Sequence, residues 1–425
     1  MNRQSFCNFF SNFVAVIFKK ISMNKNFLTK DNFLFPNDFF KGNRTAFAAE
    51  LPENAVAVLS AARPRHRNGD QNFPYRQDSD FFYLTGLNEE NAFLVIDPSN
   101  SDSAKREVLF IEPYSERKTI WVGECMTASQ ASDISGCENV MTTDDFKAFL
   151  DDVAAKRDVV YRNSELDFDF EGKKTVDSHE ILKILRLVKK DVEIECMRHA
   201  CHLTETALAR CASVIRPGMY EFELQAELEY EFRKGRAAGH AFHPIVAGGR
   251  NACCLHYSKN ASMLNDGDLV LFDVGCEYMN YAADLSRTIP VNGRFTARQK
   301  ECYDAVNRVA QQLKNSYTIG KTIKDINDEG FKMMEEEMIS LGLFTRKDVE
   351  NQDKDKPMFR KYLPHGLTHH IGLDVHDSVD ISVPFQSGMI LSCEPGIYIR
   401  EENIGIRIEN DILVTDNGPV DILDE

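Results

Sequence analysis

The sequence predicts two domains, an α/β domain followed by an α+β domain. At 425 residues the chain is too long for one ordinary domain. Its first part alternates short apolar, β-prone runs with helical patterns, and its second part combines longer helical patterns with two β-hairpin patterns. A charged connector at 166–180 lies between the two parts, so we predict domains at 23–175 and 176–425.

The periodicity of apolar residues predicts each element in order. In the first domain a helical pattern covers 143–156, and the predicted strands are AVAVLSA from Ala55, AFLVIDP from Ala92, EVLFIEP from Glu107 and DVVYRN from Asp158. The second domain opens with an apolar-periodic segment, 194–214, which stops before Pro217 and Gly218. The further predicted helices are 221–234, 297–316 and 323–341, and the predicted hairpins are 269–289 and 388–415.

The first 22 residues, MNRQSFCNFFSNFVAVIFKKIS, form a leader with a basic start and an apolar run. The run is too short to span a bilayer and lacks a small-residue cleavage site. Whether residues 1–22 are a targeting segment or precede a start at Met23 stays open. We predict that the protein is not attached to a membrane.

Charge and cysteine usage exclude several classes of function. The chain has 66 acidic and 50 basic residues, and its formal charge of −16 repels nucleic acid and anionic lipid. Its eleven cysteines include no CxxC pair, which argues against a disulfide framework and against a thiolate zinc site. We therefore predict a cytoplasmic protein that does not bind nucleic acid.

Two aspartates in the stretch LFDVGCEYMNYAADLSRT are the first candidates for a functional site. In the predicted strand LVLFDV, Asp273 shares a face with Leu269 and Leu271, because side chains alternate along a strand. After a turn through 275–280, Asp284 is predicted on the return strand, where antiparallel pairing can bring the two carboxylates together. Either aspartate alone is more often a solvated turn residue, so this interpretation depends on the rest of the domain.

The C-terminal part supplies further candidates. Glu394 ends the apolar strand MILSCE, and in GIRIENDILV the residues Arg407, Glu409 and Asp411 alternate with isoleucines, which predicts that they share one strand face. A cluster of histidines beside inward-facing acids indicates a site more strongly than a lone histidine does. The clustered histidines are His365, His369, His370 and His376.

A helical zinc-protease site does not fit these histidines. His365 and His369 have the spacing of an HEXXH motif, but Gly366 stands where that motif needs glutamate. Four carboxylates and one imidazole instead form an oxygen-rich ligand set, which suits manganese, cobalt or iron better than zinc. Without cations the carboxylates would repel one another strongly, and two divalent cations with a bridging hydroxide would resolve this repulsion.

In this order, the segments DVGCEYMNYAADLSRT, GLTHHIGLDVHD, EPGIYI and GIRIENDI resemble the pita-bread metallopeptidases, which include methionine aminopeptidase, prolidase and Xaa-Pro aminopeptidase. In addition, FPYRQDSDFFYLTGLNEENAFLV resembles the N-terminal domain of bacterial-type Xaa-Pro aminopeptidases. The resemblance implies an N-terminal α/β domain like that of creatinase and aminopeptidase P. It also implies that the α+β domain at 176–425 is a pita-bread catalytic domain.

The resemblance also implies a role for each predicted ligand. Asp273 would bind one metal, Asp284 and Glu409 would bridge two divalent metal ions, and His369 and Glu394 would complete the other metal site. Manganese is the expected metal. The metals would activate a water and polarise the scissile carbonyl, and Glu394 would accept a proton.

Further residues match positions around the reacting bond in this family. His256 and His376 match histidines that stabilise the tetrahedral intermediate or guide the substrate. His365, Tyr398 and Arg407 match the lining of the proline site, which must be apolar and fitted to the ring.

Two aromatic residues can be compared with the residues at the matching positions of related enzymes. Trp121, the only tryptophan of the chain, corresponds to an aromatic residue that reaches across a subunit interface to cover the proline pocket, although an ordinary core or interface role remains an alternative. Phe242 stands where related enzymes often have tyrosine, so we give it no polar role. The expected assembly is a homodimer or a homotetramer.

The function implied by the resemblance is removal of the N-terminal residue from peptides with proline at the second position. A prolidase, which takes only dipeptides, is the alternative within the enzyme class. A metal-free descendant that binds peptides or proteins is the alternative of another class, but such descendants usually lose ligands and all five are present here.

Overall fold

The computed structural model describes residues 35–377 and 380–424, so the predicted leader at 1–22 lies outside the described residues. The chain divides into two compact units between Arg186 and Leu187. This division falls later than the boundary predicted between residues 175 and 176. A strand at Lys174–Asp177 and a helix at His179–Leu185 lie on the first unit's side of it.

The first unit is built on a mixed six-stranded sheet. The strands of the first unit are β1 (Ala55–Ser60), β2 (His66–Asn68), β3 (Gln71–Asn72), β4 (Phe93–Ile96), β5 (Glu107–Ile111), β6 (Val140–Thr142), β7 (Val159–Arg162) and β8 (Lys174–Asp177). The sheet has the order β6-β5-β4-β1-β7-β8, and β2 and β3 form a separate hairpin. All six residues of β1 are buried, as expected for a central strand covered on both faces.

Helices accompany this sheet, as the α/β prediction requires. They are α1 (Asn37–Ala49), α2 (Ser79–Thr85), α3 (Glu116–Val122), α4 (Ala128–Ser135), α5 (Phe146–Ala155) and α6 (His179–Leu185). Helix α5 buries Phe146, Leu150 and Val153, a spacing that puts all three on one helix face. Phe146 stacks on Phe93 of β4 with a ring separation of 4.0 Å, so this apolar face fixes the helix on the sheet.

The second unit is α+β. Its helices are α7 (Asp191–Val214), α8 (Glu221–Lys234), α9 (Ala297–Leu313), α10 (Ile323–Ser340) and α11 (Arg346–Glu350). Its strands are β9 (Gly239–His240), β10 (Ile245–Gly248), β11 (Leu269–Val274), β12 (Cys276–Tyr278), β13 (Tyr281–Ala282), β14 (Leu285–Pro290), β15 (Ile390–Cys393), β16 (Gly396–Ile399), β17 (Ile404–Arg407), β18 (Asn410–Thr415) and β19 (Gly418–Asp421). They form the sheets β10-β11-β14, β13-β12-β9, β15-β18-β19 and β16-β17.

The predicted hairpin at 269–289 exists, but its connection differs from the prediction. Strand β11 pairs with β14 in antiparallel register, with Asp273 opposite Ser286. The connection is not one turn, because the chain forms β12 and β13 in a different sheet before it returns. Asp284 therefore lies one residue before β14, and its N–H donates to the Asp411 carboxylate at 3.2 Å.

The strand predicted through GIRIENDILV is wrong as a continuous element. It divides into β17 and β18, which belong to different sheets and leave Ile408 and Glu409 between them. The Ile408 N–H donates to the carbonyl of Pro395 at 3.2 Å, and the Glu409 N–H donates to the carbonyl of Ser286 at 3.1 Å. The break arises because consecutive amides bond to different segments of the unit.

Gly275 permits the close chain approach beside Asp273. A Cβ atom at this position would lie 1.6 Å from the carbonyl oxygen of Ala283, far inside any allowed contact. Because the Ala283 backbone occupies this space, the next residue, Asp284, is brought close to the end of β11. The glycine is thus required by the packing of one backbone against another.

We expect Gly275→Ala to destabilise the metal-free protein by about 1–3 kcal/mol or more, since backbone must move to make room for the methyl group. Urea denaturation measures this loss. Gly366→Ala is the control, because its added Cβ would meet no atom nearer than 3.6 Å. Equal stabilities of the two variants would contradict the proposed packing constraint.

Candidate active site

The centre of the site is formed by Asp284, His369 and Glu409. Each offers one ligand atom, and these atoms lie within 4.8 Å of one another. The His369 Nε2 atom lies 3.5 Å from Oδ2 of Asp284 and 3.7 Å from Oε1 of Glu394. The fold therefore collects residues from three separate strand junctions and one loop around a small volume.

The hydrogen bonds of His369 fix which ring nitrogen faces the carboxylates. Its Nδ1 lies 3.0 Å from the carbonyl oxygen of His370, so Nδ1 carries the hydrogen and donates it. The Nε2 lone pair then points toward Asp284 and Glu394. A histidine that binds a metal characteristically uses one nitrogen as ligand and anchors the other in this way.

The buried carboxylates of this site fit a cation. Burial raises the pKa of Asp284, and the negative charge of Asp273 raises it further. Burial likewise raises the pKa of Glu409, with Asp284 as the next cause, and burial raises the pKa of Glu394. The Oδ1 atom of Asp284 is buried and has no hydrogen-bond partner among the described residues. A divalent ion would bind to the open lone pairs of these carboxylates and compensate their negative charge.

The fourth carboxylate, Asp273, starts a connected chain of side chains. Its Oδ2 accepts a hydrogen bond from Nη2 of Arg407. The Nη1 of Arg407 donates to the Tyr398 hydroxyl at 2.6 Å, and that hydroxyl lies 2.8 Å from Nε2 of His365. Since Arg407 can only donate, the tyrosine oxygen accepts from it and its proton points to His365.

His365 stays neutral in this arrangement. Its Nδ1 contacts the carbonyl oxygen of Gly366, so Nδ1 holds the hydrogen and Nε2 accepts from Tyr398. Burial lowers the pKa of His365 to about 3, and the positive charge of Arg407 acts in the same direction. The residue therefore offers shape and hydrogen bonding at neutral pH, without charge.

Three further predicted residues differ in their contacts and in their exposure. The ring of His376 contacts that of His369, with centroids 4.5 Å apart, and burial lowers its pKa. His256 is exposed, and its charge is a lesser cause of the lowered pKa values of His365 and His376. Trp121 lies in the first unit on α3, with 79% of its surface exposed.

Three residues around the site carried no role in the sequence prediction. The Ser392 hydroxyl accepts from the His369 N–H at 3.0 Å and lies 3.3 Å from Oε1 of Glu394. Asp411 accepts from the thiol of Cys201 at 3.1 Å as well as from the Asp284 backbone, and burial raises its pKa to about 7. Alternation had placed Asp411 near Glu409, but no signal in the sequence linked Cys201 to either.

Two family descriptions match the chain. Residues 195–416 match metallopeptidase family M24, and residues 40–161 match the aminopeptidase P N-terminal domain. The chain belongs to metallopeptidase family M24. It is a metallo-aminopeptidase, and membership of this family implies that it binds a divalent metal. The predicted fold class, an aminopeptidase P N-terminal domain followed by a pita-bread catalytic domain, is confirmed.

Relatives of known name align over most of their lengths. The chain is 34% identical over 414 residues to the Xaa-Pro aminopeptidase of Escherichia coli, covering 89% of this chain and 92% of that protein. It is 32% identical over 404 residues to the Xaa-Pro aminopeptidase of Haemophilus influenzae, covering 90% and 93%. It is 31% identical over 397 residues to human Xaa-Pro aminopeptidase 3, covering 87% and 78%.

Solved structures agree with this assignment. Aminopeptidase P from E. coli with the inhibitor Pro-Leu superposes with a TM-score of 0.83 at 31% identity, covering 92% of this chain and 95% of that chain. The Pseudomonas aeruginosa aminopeptidase PepP gives a TM-score of 0.85 at 32% identity, with the same coverage. Within the described part of the chain, every helix is too short or too polar to cross a bilayer.

The adjacent histidines should respond differently to truncation. We expect His369→Ala to abolish most metal uptake with little loss of metal-free stability, because His369 faces the carboxylates. His370 is fully buried, so His370→Ala should cost about 2 kcal/mol or more of stability by leaving a cavity, while metal uptake persists. Metal analysis and urea denaturation of both variants test this pair, and reversed effects would contradict the assignment of His369 to the site.

The metal-free protein should lose stability with rising pH through its buried acids. A carboxyl whose pKa is raised in the folded state binds more protons folded than unfolded, so its contribution falls from about pH 4 upward. Asp284→Asn removes one such group. In chelator, we expect the stability of this variant relative to wild type to increase between pH 5 and pH 8, measured by urea denaturation. A difference that does not change with pH would contradict the raised pKa of Asp284.

Proposed function

We propose that the chain is a dinuclear-metal aminopeptidase that hydrolyses the bond between an N-terminal residue and a following proline. The observation that carries this proposal is the convergence of Asp284, His369, Glu394 and Glu409, with Asp273 tied to the same site through Arg407. The names of the aligned relatives support the Xaa-Pro specificity. The same names favour an aminopeptidase over the prolidase alternative, and substrate length tests this choice.

The proposed ligands are assigned as follows. Asp273 would hold one metal ion, His369 and Glu394 would hold the other, and Asp284 and Glu409 would be shared by both. The hard, oxygen-rich donor set supports manganese. When bound, the two ions supply Lewis-acid chemistry, lowering the pKa of a bound water and polarising the scissile carbonyl.

The proposed proton acceptor is Glu394. Its Oε1 lies 3.7 Å from Nε2 of His369, which places its carboxylate within the site. His256 and His376 stabilise the negative charge that develops on the substrate carbonyl oxygen. Because burial lowers the pKa of His376, this histidine acts mainly as a neutral hydrogen-bond donor.

The proline site is proposed to be lined by His365, Tyr398 and Arg407. Their hydrogen bonds to one another satisfy their polar atoms and hold the side chains fixed, so the ring meets a preformed surface. A neutral His365 suits an uncharged ring better than an imidazolium would. Trp121 of a second subunit is proposed to cover this site.

The proposed setting is cytoplasmic, with peptides as the only partners besides copies of this chain. All ten cysteines in the described part of the chain are free, which is consistent with a reducing compartment. A homodimer or homotetramer is proposed, since Ile120, Trp121 and Val122 are each more than 70% exposed on one short helix, a patch of the kind that subunit contacts cover.

Metal stoichiometry tests the proposed ligands. Wild-type protein should hold two manganese ions per chain. We expect Asp284→Asn to keep its fold by circular dichroism and to lose most of the bound metal and activity, because a shared ligand no longer carries a charge. Near-normal turnover with two ions per chain in this variant would refute the assignment.

Substrate length and terminus test the proposed reaction. An aminopeptidase must accept chain beyond the proline, so Xaa-Pro-Yaa tripeptides should have a higher kcat/KM than the matched Xaa-Pro dipeptides. Acetylation of the N-terminus should abolish cleavage. Replacing proline by alanine should cost a few kcal/mol, roughly, of transition-state binding. If only dipeptides are good substrates, the prolidase alternative replaces this proposal with the same metal site.

A further inference from the structure

Ser286 lies at the contact between the two halves of the site. On β14 it stands directly opposite Asp273 of β11, and directly opposed residues place their side chains on one sheet face. Its side chain is fully buried. Because β14 begins just after Asp284, this serine shares a short segment with one predicted ligand and faces another.

The hydroxyl of Ser286 connects the charged side chains of Glu409 and Arg407. It donates to Oε2 of Glu409 at 2.7 Å and accepts from Nε of Arg407 at 2.9 Å. Arginine has no acceptor, so the Nε–H must donate to the serine oxygen. The direction of the serine proton is therefore fixed toward Glu409.

The backbone around this hydroxyl is held independently of it. The Glu409 N–H donates to the carbonyl of Ser286 at 3.1 Å. Nη1 of Arg287 donates to the same carbonyl at 2.9 Å and to the carbonyl of Glu409 at 2.6 Å. Loss of the hydroxyl would thus change the side-chain contacts while these backbone contacts remain.

We propose that Ser286 is a positioning residue that holds the Glu409 carboxylate in its metal-binding orientation and keeps the Arg407 guanidinium directed at Asp273 and Tyr398. The hydroxyl supplies Glu409 with a neutral donor in place of a cation. Without it, a direct ion pair between the Arg407 guanidinium and the Glu409 carboxylate would compete with metal. This inference rests on the proposed metal site.

The chain offers a matched control two residues along the same strand face. Thr288 is also buried, and its hydroxyl donates to the Arg407 carbonyl and accepts from the Arg407 N–H, both at 3.2 Å. Thr288 therefore bonds to the backbone of Arg407, whereas Ser286 bonds to the side chain of Arg407. Thr288→Val removes a buried hydroxyl of similar surroundings without removing a contact to Glu409.

The test is calorimetric titration of metal-free protein with Mn²⁺, together with the visible absorption spectrum of the Co²⁺-loaded protein. We expect Ser286→Ala to weaken manganese binding about 10–100-fold, the usual effect of removing a residue that supports a ligand, and to shift the cobalt bands. Ser286→Thr, which keeps a hydroxyl, should restore both. Thr288→Val should lower the stability measured in urea and leave manganese affinity and cobalt bands as in wild type.

Wild-type affinity and an unchanged cobalt spectrum in Ser286→Ala would overturn the inference and leave the proposed function standing. An equal loss of affinity in Thr288→Val would also overturn it, since the effect would then come from packing around Arg407. If the wild-type chain takes up no manganese or cobalt, the proposed metal site fails and the inference fails with it.

Discussion

The mutual repulsion of buried carboxylates is the interaction on which this structure depends. Asp284, Glu394 and Glu409 are withdrawn from water and lie close together, and each has its pKa raised by that burial. A protein keeps such an arrangement only where something compensates the charge. In the metal-free form the raised pKa values favour protonation of these acids, and divalent ions are proposed to compensate the charge in the active form, so metal uptake and folding stability are linked at this site.

The breaks between strands allow the ligand side chains to converge, which a regular strand does not allow. Side chains on one continuous strand face stand apart by two residues along the strand, which spreads ligands out in a line. Here Asp284, Glu394 and Glu409 each lie where the chain leaves one sheet and enters another. At such junctions the backbone amides bond to different neighbours, and the side chains can converge on one point from several directions.

Arg407 links the metal centre to the proposed proline site. Its buried guanidinium donates to Asp273, to Tyr398 and to Ser286, and so it satisfies an acid, a neutral phenol and a hydroxyl at once. The Tyr398 hydroxyl in turn donates a hydrogen bond to Nε2 of His365. The low pKa of His365 keeps this histidine uncharged. The Arg407 side chain therefore orients both the acidic side chains and the neutral side chains of the site. A change on one side should alter the side-chain positions on the other.

The sequence by itself determined the α/β and α+β division and the four long helices of the second unit, α7 to α10, and it predicted the site residues. Helix α8 has the predicted bounds and α10 ends one residue earlier than predicted, because apolar periodicity over many residues is a strong local signal. The motifs, through their resemblance to the family, also predicted the carboxylates and His369 as ligands, whereas residue type alone did not distinguish His369 from the neighbouring histidines. Sequence could not place the break between β17 and β18 or the excursion through β12 and β13. Those features depend on which distant strand accepts each amide, and the contacts of Ser286, Ser392, Cys201 and Asp411 depend on the same long-range pairing, which only the tertiary structure decides.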